Sequence, residues 1–394
     1  MDYSQLLAQR TGNMKASAIR EILKATSKPE MVSLAGGIPA PESFPMDILG
    51  ELTQNVLDTY GSGALQYDIA EGFTPLREAL VDHLKTKGVA VSADEITVMS
   101  GSQGVLDAIG KILISKGENV AVEAPTYLGA ISAFNPYEPN YVTLETDEDG
   151  LLPESLEEAL TTHFIKFIYL VPTFQNPTGR TIPLERRRHI AELIKKYDAL
   201  LIEDDPYSAL RFKGEAVPPI WTFAPENVVY ISTLSKVLAP GIRIGFCVAP
   251  GLIREWLVKT KHGADLHTNT FGQAMAAKYI AGGYIHQQLP KIISLYHPRL
   301  QAMLAAMEKH FPNSFSWSRP EGGMFVWAAG PEGFDAEQAY WEAVKVKTAF
   351  VPGYAFFTDE GTGKNTMRLN FTNASEELIT ESIYRLSRVF ETLL

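Results

Sequence analysis

Val228-Val229-Tyr230-Ile231-Ser232-Thr233-Leu234-Ser235-Lys236-Val237-Leu238-Ala239-Pro240-Gly241-Ile242-Arg243-Ile244-Gly245 is the run that decides how this chain is read. It opens with β-branched and aromatic residues, the composition of a buried strand, and Pro240-Gly241 marks a turn. A lysine just past the end of such a strand is poorly placed for solvent and well placed to form an imine with an aldehyde. Thr233, Ser235 and Arg243 surround it with the donors that a phosphate dianion needs. Taken alone, the run also fits an ordinary salt-bridged lysine at a strand end.

Three further strand ends supply the rest. Phe167-Ile168-Tyr169-Leu170-Val171-Pro172 is a short apolar strand followed by Phe174-Gln175-Asn176-Pro177-Thr178-Gly179. Ala199-Leu200-Leu201-Ile202 is another, followed by Glu203-Asp204-Asp205-Pro206-Tyr207. Asn119-Val120-Ala121-Val122-Glu123 is a third, ending in Ala124-Pro125-Thr126-Tyr127. Parallel α/β sheets hold ligands outside the carboxyl ends of their strands, so these tips are expected to converge. Lysine, hydroxyls and arginine gathered there suggest pyridoxal phosphate, an aldehyde that also carries a phosphate.

With 394 residues, the chain is long enough for two domains with substantial cores. Hydrophobic residues make up 45% and charged residues 21%, as in ordinary globular proteins. A net charge of −11 disfavours nonspecific binding to nucleic acid or anionic membrane surfaces. The single cysteine, Cys247, excludes an intrachain disulfide and fits a reducing compartment. Met1-Asp2-Tyr3-Ser4-Gln5 shows no basic region leading into an apolar stretch, so no signal peptide is expected. No apolar run approaches the roughly 20 residues that span a bilayer. The expectation is a soluble, cytoplasmic protein without nucleic-acid or membrane partners.

Strands and helices alternate without a low-complexity linker. Glu95-Ile96-Thr97-Val98-Met99 reads as a strand, and Ser100-Gly101-Ser102-Gln103-Gly104 as a turn. Val105, Ile109, Ile112 and Leu113 then form the stripe of a helix. A boundary is expected near Ala281-Gly282-Gly283-Tyr284, before a long amphipathic stretch at 287–311 and hairpin-like strands around 323–327. The last helix is expected from about Ser375, with Leu378, Ile379, Leu386 and Phe390 on its apolar face. Asn373 and Glu376 are spaced like its capping pair.

Taken in this order, the segments resemble those of the type I fold pyridoxal-phosphate aminotransferases, from about Ser17 to Arg368. The resemblance implies an α/β fold. Its large domain, 46–284, would hold a mainly parallel sheet flanked by helices. A smaller α/β domain would come from both chain ends, 1–45 and 285–394. Lys236 would carry the cofactor and act as base and acid. Ser102, Gln103, Ser235 and Arg243 would hold the phosphate, helped by the free amides that open a helix. Asp204 would pair with the pyridine nitrogen; Asp205 is the adjacent competitor. Asn176 and Tyr207 would reach the ring's phenolic oxygen, and Tyr127 would stack on its face. Tyr67, in Leu65-Gln66-Tyr67-Asp68, resembles the tyrosine that crosses the family's dimer interface to the neighbour's phosphate, which implies a homodimer. A metal-ligand reading of the acidic strand end finds no histidine near it in sequence.

For the substrate, Arg368 resembles the arginine that grips the α-carboxylate as a bidentate pair, with Asn176 beside it. Gly36 and Gly37 allow close backbone approach. Arg20, Leu34-Ala35-Gly36-Gly37-Ile38-Pro39, Leu238-Ala239-Pro240-Gly241 and Ala264-Asp265-Leu266-His267-Thr268 resemble the 2-aminoadipate and kynurenine aminotransferase branch. There Arg20 would meet an acidic side chain or swing aside for aromatic and aliphatic ones. His267 would lie near the dimer interface in a structural role. The implied reaction is ping-pong transamination from an L-amino acid of aminoadipate, aromatic or branched-chain type to a 2-oxo acid such as 2-oxoglutarate. The same scaffold also supports β-lyases and decarboxylases. It occurs as well behind a DNA-binding domain in regulators, for which the segment before Leu34 is too short.

Overall fold

The alternating strands close into one seven-stranded sheet. The structure is a computed structural model and describes residues 3–14 and 31–394. The strands are β1 (Ile96–Ser100), β2 (Asn119–Glu123), β3 (Asn140–Leu144), β4 (Ile165–Leu170), β5 (Leu201–Asp205), β6 (Val228–Thr233) and β7 (Ile244–Val248). They lie side by side in the order β1-β7-β6-β5-β4-β2-β3. From β3 to β6 all neighbours are parallel, whereas β7 is antiparallel to both β6 and β1. The carboxyl ends of β1, β2, β4, β5 and β6 and the amino end of β7 therefore share one edge. That is how tips far apart in sequence come together.

Both faces of the sheet are covered, which is why its strands read as nearly continuous apolar runs. Alternation still sorts their side chains. Phe167, Tyr169 and Val171 join one core and Ile168 and Leu170 the other. Across β5 and β6, Ile202, Val229 and Ile231 belong to the first core, and Leu201, Val228 and Tyr230 to the second. Asp204 lies two residues beyond Ile202, so it falls on the first face, and Asp205 on the second. Both carboxylates lie within β5 rather than after it.

A second sheet comes from β8 (Ser316–Trp317), β9 (Phe325–Ala329), β10 (Val351–Pro352) and β11 (Thr366–Asn370), antiparallel in the order β8-β9-β11-β10. Val32–Ser33 pairs in parallel with Thr348–Ala349, tying the described N-terminal residues to this end of the chain. The helices Tyr284–His310 and Glu376–Leu393 pack together beside the second sheet. Phe390 stacks on Phe315 at 4.9 Å and meets Phe311 and Phe334 edge-on at 5.2 and 5.4 Å. Each fully buried ring of this kind contributes about 1.5–3 kcal/mol relative to exposure. Among the described residues no helix is long and apolar enough to cross a membrane.

Two details of the last helix differ from the sequence reading. Its N-cap is Ser375, whose side chain accepts from the Leu378 amide, so the pair Asn373 and Glu376 is not the cap. Ser375 has the extended backbone of a capping residue and sits immediately before the helix, the position that the first free amides require. Leu378 is half-exposed, and the buried face is Ile379, Ile383, Leu386 and Phe390. Leu378 falls in the first turn, before the helix reaches the aromatic core. Ser375→Ala should cost about 1 kcal/mol of stability, and Asn373→Ala distinctly less. Urea unfolding midpoints of the two variants check this; equal losses would contradict the assignment.

Candidate active site

The shared sheet edge opens into a cavity of about 290 Å³. Its walls include Ser102, Gln103, Tyr127, Asn176, Asp204, Tyr207, Ser235, Lys236, Arg243, Arg368 and Gly37, all singled out from sequence. Leu128, Val171, Pro206, Thr233 and Pro240 complete it. Tyr67 does not reach the cavity of its own chain. It is 77% exposed, with its ring edge-on to His267 at 5.5 Å. Arg20 lies outside the described residues.

Lys236 follows β6 in the connection to β7, and its Nζ donates to the Gly37 carbonyl at 3.1 Å. Burial, with the charges of Arg368 and Arg243, lowers its ammonium to about 8. Such an amine is neutral in appreciable fraction near neutral pH, as a nucleophile or base requires.

Arg368 comes from β11 in the other sheet. Its Nη1 donates to Asn176 Oδ1 at 2.8 Å and its Nη2 to the Ala35 carbonyl at 2.7 Å. The guanidinium lies over Phe325 at 4.3 Å and Phe356 at 4.9 Å. Burial lowers its pKa only to about 10, so it stays cationic. Asn176 in turn donates to the Tyr207 hydroxyl at 3.4 Å. The loop that carries Asn176 is pinned by buried Arg187, which donates to Pro172, Thr173 and Pro218.

Asp204 and Asp205 are equally buried and behave oppositely. Asp204 accepts a hydrogen bond from Tyr169 at 2.8 Å through Oδ2, and its Oδ1 has no partner among the described residues. Burial raises its carboxyl to about 7 against the pull of Tyr169. Asp205 faces the other side of the sheet and meets Lys87 at 3.1 Å, Ser208 and Tyr230. Burial again works upward, but Lys87 and the hydroxyls win and hold it down at about 2. Only Asp204 belongs to the cavity.

The remaining corner is an anion cup at the start of the helix Ser102–Leu113. Thr233 and Ser235 share a hydrogen bond at 2.9 Å beside it. Arg243 has a left-handed backbone, φ 59°, and its Nη2 donates to the Ser100 carbonyl at 3.2 Å. Gly101 has φ 80°, and a Cβ there would strike Arg243. A Cβ at Gly245 would strike the backbone of Gly101 and Ser102. Sequence reading missed Gly245 and Tyr169. The first could be found only from the strand pairing. The second reads in sequence only as one more aromatic residue of an apolar strand.

A sequence profile of the family described as aminotransferase class I and II matches residues 45–386. The chain is 46% identical over 399 residues to aromatic-amino-acid aminotransferase 1 of Thermococcus litoralis, across 99% of this chain and 95% of that one. It is 37% identical over 398 residues to 2-aminoadipate transaminase of Thermus thermophilus, across 100% and 98%. It also matches the crystal structure of LysN, alpha-aminoadipate aminotransferase from Thermus thermophilus, complexed with N-(5'-phosphopyridoxyl)-L-leucine. There the TM-score is 0.93 at 36% identity, covering 100% of this chain and 99% of that chain. A lysine, an aspartate and an arginine around one cavity on this fold define a pyridoxal-phosphate-dependent enzyme. The chain belongs to the class I and II aminotransferases.

The residues present fit that cofactor. An unpartnered Asp204 Oδ1 suits a ring N–H, and helix amides, hydroxyls and Arg243 suit a phosphate. The raised Asp204 carboxyl also has a measurable consequence. Without cofactor, folded protein keeps a proton that the unfolded chain releases above about pH 4. The stability it carries is complete below that pH and is lost as pH rises through about 7. Asp204→Asn should therefore gain on the wild type, by up to a few kcal/mol, between about pH 4 and pH 8. Thermal unfolding of both cofactor-free proteins across that range checks it, and parallel curves would contradict it.

Proposed function

We propose that this enzyme moves the amino group of an L-amino acid of aminoadipate, aromatic or branched-chain type to a 2-oxo acid, with 2-oxoglutarate as the usual acceptor, in two half-reactions at one site. The observation that supports it most is the buried lysine of lowered basicity in a cavity shared with Asp204 and Arg368. The relatives named for aromatic amino acids and 2-aminoadipate support the donor class.

When bound, pyridoxal phosphate supplies a carbon that accepts the amino group and a ring that withdraws electrons from the substrate's α-carbon. Lys236 would hold the aldehyde carbon; Ser102, Gln103, Ser235 and Arg243 would hold the phosphate. Asp204 would keep the ring nitrogen protonated, Tyr127 would cover the ring face, and Asn176 with Tyr207 would bind the phenolic oxygen. Arg368 would take the α-carboxylate through its two Nη groups, exchanging the Ala35 contact for substrate, while Gly37 leaves room for the substrate's backbone atoms. That grip fixes the Cα–H bond toward Lys236. Its Nζ, neutral in part near pH 8, would take the α-proton and deliver it two bonds away, to the carbon that carried the aldehyde oxygen. Arg20 would set the choice between acidic and apolar side chains.

The active unit is proposed to be a cytoplasmic homodimer, with Tyr67 reaching the neighbouring phosphate. Its high exposure beside exposed Leu65 and Leu266 supports that. The proposed division of the chain, 46–284 against the two ends, leaves Arg368 on one domain and Lys236 on the other.

A visible spectrum of the purified protein, taken with a panel of amino acids, tests the function. The cofactor band should bleach with the right donor and return with 2-oxoglutarate. A band that no amino acid bleaches would contradict the reading. Lys236→Ala should lose about 10³-fold or more of turnover while keeping a dimeric mass in sedimentation. Tyr67→Phe should weaken cofactor binding about tenfold, as for one hydrogen bond to a charged group. Unchanged affinity would remove Tyr67 from the site.

A further inference from the structure

We propose that Tyr169 is a positioning residue of this site, turning and fixing the Asp204 carboxylate for the ring nitrogen of the cofactor. The inference rests on the reading of Asp204 given above and extends it to a residue that lines no part of the cavity.

The geometry is specific. Tyr169 pairs across the strands with Ile202, and its phenol runs forward along the same face to Asp204 Oδ2 at 2.8 Å. Tyr169 is fully buried and Asp204 nearly so. The phenol makes this one side-chain hydrogen bond, and the carboxylate receives no other among the described residues. One carboxylate oxygen is thus occupied and the other is left unpaired. Phe134 meets the Tyr169 ring edge-on at 6.0 Å and limits its rotation.

The neighbouring aspartate shows how much such partners matter. Asp205 also takes a phenol, Tyr230 at 2.6 Å, but adds Lys87 and Ser208, and it is held firmly ionised. Among the described residues Asp204 has no cation, and Tyr169 is the only side chain that donates to it. Burial, then the charge of Asp204, pushes the Tyr169 phenol well above its ordinary range, so it stays a donor at any working pH. A donor strengthens when its acceptor is charged, so the phenol favours carboxylate with protonated ring over carboxylic acid with neutral ring. Its loss should move that balance about tenfold. Phenylalanine would fill the same apolar strand position with no polar group to satisfy. A purely packing role therefore gives no reason for the hydroxyl.

The test is a pH series of the ¹⁵N chemical shift of the cofactor's ring nitrogen in full-length, cofactor-loaded protein, beside kcat and KM. In Tyr169→Phe, the ¹⁵N shift below the release pH should move toward that of an unprotonated ring, the ratio of protonated to unprotonated nitrogen falling about tenfold. Its kcat should drop about 10- to 100-fold, with KM within about threefold. Phe134→Leu, which disturbs the same packing without touching the hydroxyl, should lower thermal stability and leave the nitrogen alone. A protonated wild type with an unchanged Tyr169→Phe would overturn the role of Tyr169 and leave that of Asp204 standing. An unprotonated wild type would overturn both. An equal shift in Phe134→Leu would reduce Tyr169 to packing. Should Tyr169→Phe fail to fold, 3-fluorotyrosine at position 169 supplies a stronger donor and should move the ¹⁵N shift the other way, toward the fully protonated ring. No change there would also sink the proposal.

Discussion

A guanidinium buried between two sheets must find acceptors, and Arg368 finds them on opposite sides. Its Nη1 reaches Asn176, on the loop after β4, and its Nη2 reaches Ala35, beside the strand that pairs with the C-terminal part of the chain. Leaving such a charge unpaired would cost several kcal/mol, so the loop, the N-terminal segment and the second sheet are held in one arrangement. The cavity is the space that this arrangement leaves over the sheet edge. The cation that closes the structure is also the group best placed to receive a carboxylate.

The sheet supplies the complementary half. One antiparallel strand, β7, turns the chain back at the common edge, so the connection from β6 carries Lys236 and Arg243 across the mouth of the cavity. Glycines at 101 and 245 let that connection lie against the start of the helix after β1. Burial then tunes the chemistry. The same desolvation that raises the Asp204 carboxyl lowers the Lys236 ammonium, bringing both toward neutral pH from opposite directions.

Much of this was legible in the sequence, because apolar strands ending in polar residues announce both a parallel sheet and its ligand edge. The choice of Asp204 over Asp205 came from a resemblance; strand alternation gives it a physical basis. Tyr169 was quoted only as part of a strand, since nothing local tells a buried phenol with a partner from one that merely fills space. The cap at Ser375 was missed by two residues because Asn373 and Ser375 are both good caps, and only the backbone decides between them. Arg368 was recognisable as a type, but its stacking on Phe325 and Phe356 depends on contacts that no local pattern encodes.

One lysine, Lys236, is proposed to carry the cofactor at the edge of this sheet. Borohydride reduction of the purified protein followed by peptide mass mapping tests it directly. A phosphopyridoxyl mass should appear on the peptide containing Lys236 and on no other lysine. A label on another lysine, or none on cofactor-reconstituted protein, would contradict it.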